Sequence, residues 1–393
     1  MAQQESAPSL SREELLSRTR ARIDEIDSRL LDLLNERSTL SREVGRIKAD
    51  DKSSIFKPQR EQEILERLCA RNTGPLPESA LRSIWREIMS SSRALQRPLR
   101  VAYLGPEGTF SYFAGLEFLG HSARYRACVD LPAVFEEVNA TTCDLGIVPL
   151  ENSLQGTVGI SFDLFLKFPV VIQAELFSRI SHCLLSREES FSDIKTVYSH
   201  PQPLAQCAFW LRAHLPGAAL IPAESTAAAA RKAAETPHAA SIGNGSLANL
   251  IGMNVLAKRI EDSPGNWTRF VVIAREGEQN RLGSLPLNKK PLTSGHKTSI
   301  LFTLADKPGS LSSVLTLFAK NGINMRKLES RPLLGERWKY VFFVDVEEDL
   351  MREEFRAPVQ ELSDMCNTFR ILGSYATGPQ LDRVWEPEDS VDD

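Results

Sequence analysis

Two groups of residues in this 393-residue chain are of types that handle small anions. Asn266-Trp267-Thr268-Arg269-Phe270 leads into the apolar run Val271-Val272-Ile273 and reads as a strand entrance. Thr268 offers a hydroxyl that both donates and accepts a proton, and Arg269 offers a planar fork matched to a carboxylate. Taken alone, the pair suits a solvated turn equally well. The second group is cationic. Arg37 and Lys48 lie eleven residues apart, on nearly the same face of one helical stripe, and Arg60 opens the next helix. On a third stripe the apolar positions give way to Ser92 and Gln96. No acidic residue occupies the first seam, and cations buried without acids are costly, so a bound ligand with two carboxylates would relieve the conflict. The plain alternative is a dimerisation arm with a register-setting arginine.

Elements must hold these groups. Ile23, Ile26, Leu30, Leu33, Arg37, Leu40, Val44 and Ile47 recur at spacings of three and four, while Leu31 and Leu34 widen the stripe. A helix from Arg20, ~45 Å long at ~1.5 Å per residue, must therefore bury a broad face, and so short a domain calls for a partner chain. Two more helices are expected: Pro58 to about Asn72 with Ile64, Leu65 and Leu68 inward, and another after Pro77 with Leu81, Ile84, Trp85, Ile88 and Met89 inward. From residue 99, strands such as Val101–Leu104, Leu145–Val148, Thr196–Ser199 and Ala239–Ile242 alternate with helical signals, implying a largely parallel sheet. Residues 276–296, rich in Gly, Pro, Asn and Lys, read as a linker. Then Thr298–Leu304, Leu311–Lys320, Ile323–Glu329, Trp338–Val346, Leu350–Leu362 and Phe369–Tyr375 give the β-α-β-β-α-β order of a ferredoxin-like domain. The acidic segment Glu386–Asp393 carries no motif.

A net charge of -4 and a pI near 6.0 argue against nucleic acid or a membrane surface as partner. The first residues lack a signal-peptide core and no run nears the ~20 apolar residues of a span, so a cytoplasmic protein is expected. Six cysteines form no CxxC pair and no metal-ligand spacing, and they read as reduced and mostly buried. A Cys-His nucleophile from Cys207 with His200, or Cys183 with His182, is an alternative. The Gly105-Pro106-Glu107-Gly108 loop lacks dinucleotide spacing, so no cofactor and no metal are expected.

Residues about 15–97 resemble the all-helical chorismate mutase domain of proteobacterial bifunctional chorismate mutase/prephenate dehydratases, through Arg20, Glu36-Arg37, Val44-Gly45-Arg46-Ile47-Lys48, Arg60-Glu61, Ser92 and Gln96. Residues 99–275 resemble the dehydratase domain through Gly105-Pro106-Glu107-Gly108-Thr109-Phe110-Ser111, Pro149-Leu150-Glu151-Asn152-Ser153, His200-Pro201-Gln202, Glu224-Ser225-Thr226-Ala227-Ala228 and Thr268-Arg269-Phe270. Lys307-Pro308-Gly309-Ser310-Leu311 and Glu329-Ser330-Arg331-Pro332 resemble an ACT regulatory domain. Singly, each loop reads as a turn or cap. Their order is what is specific.

The resemblance implies a multidomain fold: an all-α mutase domain over 11–97, a two-lobed, periplasmic-binding-protein-like α/β dehydratase domain over 99–275, and an α+β ferredoxin-like ACT domain over 297–377. The lobes would be 99–176 plus 269–275, and 177–265. In the mutase site Lys48 and Gln96 would donate to the breaking ether oxygen of chorismate. Arg37, Arg60 and Arg20, the last from a second subunit, would hold the diaxial shape, while Glu61 and Ser92 order the ring hydroxyl and a carboxylate. Thr268 would protonate the leaving hydroxyl of prephenate, through a relay with Asn152, Ser199 and Gln206. Ser225 and Thr226 would cradle a carboxylate at a helix start, Phe270 would contact substrate, and Arg269 would orient the cleft or bind a carboxylate. Gly309, Ser310, Leu311, Glu329, Ser330 and Arg331 would bind phenylalanine as a feedback inhibitor. A homodimer through the helical domain is implied. Two rival readings stand beside it: a non-catalytic two-lobed amino-acid receptor with an ACT sensor and a helical dimerisation arm, against which Lys48, Gln96 and Thr268 count, and an arogenate dehydratase.

Overall fold

The computed structural model describes residues 11–47, 57–277, 295–333 and 339–381. The chain begins with three helices, α1 (Arg12–Ile47), α2 (Pro58–Arg71) and α3 (Glu78–Gln96). Helix α1 starts eight residues before Arg20 because Ser11 and Glu14 form a capping box: Ser11 N donates to Glu14 Oε2 at 2.8 Å, and Glu14 N to Ser11 Oγ at 3.2 Å. Pro58 opens α2, where its missing N–H has no helical partner to lose. No residue of α1 is buried, and Leu30 and Leu33 are 51% and 60% exposed. Ile84, expected inward, is also exposed, since none of the described residues covers its side of α3.

The middle of the chain makes two lobes. β1 (Arg100–Leu104), α4 (Phe110–Leu119), β2 (Arg124–Cys128), α5 (Leu131–Asn139), β3 (Leu145–Asn152), β4 (Gly156–Thr157), α6 (Gly159–Lys167) and β5 (Val170–Arg179) build the first. β6 (Cys183–Ser186), β7 (Thr196–Ser199), α7 (Pro201–Gln206), α8 (Ala208–His214), β8 (Ala219–Pro222), α9 (Thr226–Glu235), β9 (Ala239–Gly243), α10 (Gly245–Ile251) and β10 (Asn254–Ala257) build the second, with sheet order β10-β6-β9-β7-β8. The chain then returns to the first lobe as β11 (Trp267–Arg275). It crosses between lobes through 180–182 and 258–266, so the first sheet holds the chain to Arg179 and retakes it at Trp267.

The last part contains β12 (His296–Leu304), α11 (Ser310–Lys320), β13 (Met325–Pro332), β14 (Tyr340–Val346), α12 (Arg356–Met365) and β15 (Cys366–Ala376), in sheet order β13-β14-β12-β15. This is the ferredoxin-like order, so the fold is an all-α unit, a two-lobed α/β unit and an α+β unit. Most of the expected linker, the expected strand start at Trp338 and the acidic C-terminal segment lie outside the described residues. Alternation along β12 explains the packing on both faces. Ile300 and Phe302 face α11 and α12, with Val314, Leu317 and Leu362. Leu301, with Val341, Phe343, Leu372 and Tyr375, turns the other way and joins the first lobe's core against Phe162, Phe165 and Ile172.

One element lies beyond residue 377, the expected end of the C-terminal domain. β16 (Gln380–Leu381) leaves the C-terminal unit and adds a parallel strand to β5, so the first sheet runs β16-β5-β11-β3-β1-β2, with β4 beside β3.

Candidate active sites

In the helical unit the structure brings Arg37, Ser92 and Gln96 together. The Arg37 guanidinium donates to the Ser92 hydroxyl across the α1–α3 contact. Burial lowers the Arg37 pKa from the usual guanidinium value, with nearby Glu61 opposing the shift. Gln96 lies one turn beyond Ser92, against Gly45: a Cβ on Gly45 would sit 3.1 Å from Gln96 Cγ, so the absence of a side chain lets the helices approach. Glu61 is held by Arg93, a buried cation that the sequence reading missed. Arg93 also donates to the carbonyl of Leu119, which ties α3 to the first lobe. Its signal was a basic residue beside the apolar stripe, next to Ser92.

Arg60 was expected to point inward, but it is exposed and pairs with Glu63 of its own helix at 3.1 Å. The fixed three-residue spacing offers it an acid locally, and the long side chain stays in water. Arg20 is exposed on α1, seventeen residues before Arg37 and hence ~25 Å away at ~1.5 Å per residue. Lys48 lies outside the described residues.

In the α/β unit Thr268 enters β11 opposite Asn152, the last residue of β3, and both side chains are buried. The Asn152 carbonyl oxygen accepts the backbone N–H groups of Leu154 at 3.1 Å and Gln155 at 3.0 Å. Backbone N–H groups only donate, so this fixes which way the amide points. Its nitrogen then donates to Thr268 Oγ1 at 3.0 Å and to Asn266 Oδ1 at 2.7 Å. Thr268 thus accepts one hydrogen bond and keeps its own proton to donate.

The other residues assigned to this site divide. Ser199 donates to the Ile242 carbonyl at 2.9 Å, because its place on β7 aims the hydroxyl at neighbouring β9. Gln206 is bonded to His182 Nε2 at 2.8 Å. Neither bonds to Thr268 here, so the expected four-membered relay reduces to Asn152 and Thr268. Ser225 caps α9, accepting from Ala228 N at 3.1 Å, and Thr226 is buried in the first turn. Above that turn the Gly105–Phe110 loop reaches over from the first lobe. Gly108 has φ of 92°, a conformation that favours glycine, and a Cβ there would stand 2.5 Å from Leu247 Cδ1 and push that leucine aside. Arg231 clamps the loop, donating to the Glu107 carbonyl at 2.9 Å.

Two assignments are corrected. Phe270 is not a ligand-facing ring but part of the first lobe's core, with Val101, Tyr103 and Leu176. It shares its face of β11 with Val272 and Ala274, which pack into the same core. Arg269 is not open to a substrate carboxylate. Its guanidinium is buried and bonded to Glu175 at 2.7 Å, to Asp345 and to Tyr375 at 3.0 Å. Burial disfavours the charge, but Tyr375, Asp345 and Glu175 outweigh it and hold the Arg269 pKa well above its ordinary value. The same contact with Arg269 overcomes burial at Asp345 and lowers that carboxyl.

His182, between the lobes, was read only as a partner for Cys183. It is 1% exposed, its ring meets Phe110 edge-on at 5.8 Å, and its Nδ1 has no hydrogen-bond partner among the described residues. Burial lowers its pKa, keeping the ring neutral. The Cys-His alternatives lose their basis: Cys183 and Cys207 are buried and burial raises both thiols, the reverse of what an attacking thiolate needs. All six cysteines are unpaired, four buried and two half-buried.

In the C-terminal unit Gly309 adopts φ of 88° as the cap of α11, followed by half-buried Ser310 and Leu311. Along β13, Glu329 and Arg331 face the first lobe: Glu329 accepts from Thr157 Oγ1 at 3.0 Å, and Arg331 grips Asp163 at 3.1 and 3.2 Å. Ser330 faces the opposite way and is exposed.

With this geometry in view, the chain matches the chorismate mutase type II family over residues 19–97, the prephenate dehydratase family over 101–278 and the ACT domain family over 298–364. It is 41% identical over 366 residues to a bifunctional chorismate mutase/prephenate dehydratase of Aquifex aeolicus (strain VF5), covering 92% of this chain and 98% of that one. A solved prephenate dehydratase from Arthrobacter aurescens, in complex with L-Phe, is 33% identical with a TM-score of 0.62, covering 71% of this chain and 90% of its own. GqqA, a quorum-quenching acylase, also superposes with a TM-score of 0.62 at 26% identity, over 71% of this chain and 98% of its own.

Proposed function

The chain belongs to the bifunctional chorismate mutase/prephenate dehydratase family, and from that premise we propose which residues carry each activity and how the product of the pathway restrains them. As an enzyme it is both a chorismate mutase and a prephenate dehydratase. The proposed units are 11–97 for the mutase, 99–275 for the dehydratase and 297–377 for regulation.

The mutase step is a concerted rearrangement, needing no nucleophile, in which negative charge grows on the breaking ether oxygen. Arg37 grips a carboxylate of chorismate, Lys48 and Gln96 donate to the ether oxygen, and Ser92 and Glu61 order the remaining polar groups. The bond between Arg37 and Ser92 supports a preformed carboxylate fork. Arg20 comes from a second copy. Its ~25 Å separation from Arg37 and the uncovered apolar face of α1 both support an intertwined homodimer.

In the dehydratase step the ring carboxylate leaves as carbon dioxide, its bonding electrons enter the ring, and the C–O bond of the ring hydroxyl breaks. Thr268 delivers a proton to that oxygen, so prephenate and one proton give phenylpyruvate, carbon dioxide and water. The observation that carries this role is the donation from Asn152 to Thr268 Oγ1, which leaves the threonine proton available to donate. Ser225 and Thr226 at the start of α9 hold a substrate carboxylate.

Phenylalanine bound at Gly309, Ser310, Leu311, Glu329, Ser330 and Arg331 inhibits the enzyme. The ACT match and the L-Phe complex of the Arthrobacter relative support this. Among the described residues no helix is long and apolar enough to cross a membrane, in keeping with a cytoplasmic enzyme. The test is product analysis from chorismate, with and without phenylalanine, and with arogenate supplied in parallel. Prephenate followed by phenylpyruvate is expected, with phenylalanine slowing the second product. A strong preference for arogenate would overturn the substrate assignment, and an unchanged rate with phenylalanine would overturn the inhibitor assignment.

A further inference from the structure

Arg269 stands one residue after Thr268, so their side chains leave β11 on opposite faces. Thr268 turns to Asn152, whereas Arg269 turns into the seam between the first lobe and the C-terminal unit. There Asp345 of β14 and Tyr375 of β15 take two of its nitrogens, and Glu175 of β5 takes the third. Ser299 of β12 bonds to both Asp345 and Tyr375, and Lys297 reaches Glu175 at 2.8 Å. Two cations thus meet two carboxylates in a buried network, with Glu175 0%, Arg269 5% and Asp345 6% exposed. Such networks hold geometry tightly when every member has its partner. A second tie runs in register: Leu381 of β16 pairs with Ser178, Ser178 with Thr268, and Thr268 with Asn152.

We propose that Arg269 is a positioning residue for dehydration, and that the C-terminal unit, through Asp345 and Tyr375, holds the entrance of β11 so that Thr268 meets Asn152 and the substrate. The dehydratase site is then completed across a domain boundary. The unit assigned to phenylalanine thereby grips the residue next to the proton donor. This rests on the assignment of Thr268 as that donor. Displacement of a positioned group by ~1 Å costs roughly 100-fold in rate, so small changes in this seam appear in turnover.

Replacing Arg269 outright would leave buried Asp345 without its cation and Glu175 with Lys297 alone, and would test folding instead. The experiment therefore uses Asp345→Asn and Tyr375→Phe in the full chain, which keep shape and remove a charge or a hydroxyl. Steady-state kinetics on prephenate are read beside mutase turnover in the same preparation, with intact dehydratase sites counted by equilibrium binding of phenylpyruvate. The expected result is a kcat per site at least about tenfold lower, with KM for prephenate within about twofold and mutase turnover unchanged. A kcat per site within twofold of the parent for both variants would overturn the proposal, as would a raised KM with kcat retained. Thr268→Ala is measured alongside. If it retains dehydration, the assignment of Thr268 fails and the coupling with it; if it is inactive while the two seam variants are normal, the coupling alone fails.

Discussion

The side-chain nitrogen of Asn152 lies 3.0 Å from Thr268 Oγ1 and can only donate to it, because two backbone N–H groups hold the Asn152 oxygen. Thr268 therefore cannot give its proton to Asn152 and keeps it for another acceptor. Thr268→Ala should lower dehydratase kcat by roughly 10³-fold, within the usual range for a lost general acid, and leave mutase turnover unchanged. Asn152→Asp should cost about 100-fold, since a carboxylate accepts from Thr268 and draws its proton away from the substrate. Separate assays of the two reactions on one preparation check both.

At the mutase site the fork matters as much as the charge. Arg37→Ala should reduce mutase kcat/KM by at least ~100-fold, and Arg37→Lys should recover little, because an ammonium cannot reproduce bidentate geometry. Ser92→Ala removes one neutral acceptor and should cost about tenfold or less. Dehydratase activity on supplied prephenate should stay constant throughout.

Arg20 and Arg37 can be tested by mixing. Each of Arg20→Ala and Arg37→Ala alone should be inactive as a mutase. After unfolding and refolding together, the pair should regain roughly a quarter of parental activity, since random pairing makes half the dimers mixed and each mixed dimer has one whole site. No recovery, with dimers present by sedimentation, would mean that the two arginines do not share a site across chains.

His182 gives a pH signature. Its folded pKa is depressed by burial below the ordinary ~6.5, so the folded state takes up a proton less readily than the unfolded chain. The stability this lends is fully present above ~6.5 and declines as pH falls beneath it, at up to about 1.4 kcal/mol per pH unit. Urea unfolding at pH 7.5 and 5.5 should show that loss in the parent and a smaller one in His182→Gln.

Much of the architecture was legible because it rests on periodicity. Heptad spacing gave α1, and alternation with turn residues gave most strands. The start of α1 was missed although Ser11 and Glu14 spelled its cap, a local signal overlooked in favour of the apolar stripe. Arg269 was misread for a deeper reason. An arginine at a strand entrance advertises a carboxylate partner but not which one, and its actual partners are 94 and 76 residues away. The usable clue lay on the other side: Glu175 and Asp345 each interrupt an apolar strand, and buried acids require cations. β16 offered no clue of this kind, since two residues have no period.

That short strand bears on how the protein is made. β5 forms the rim of the first sheet until Gln380 and Leu381 arrive, and Gly378 donates to Glu175 across 203 residues of sequence. At ~5–20 residues per second, the rim emerges from the ribosome about 10 to 40 s before its cover. An uncovered sheet edge is a template for association with other chains. A fragment ending at residue 275 keeps that nascent state permanently, so the dehydratase lobes are expected to be poor travellers when separated from the segment that closes them.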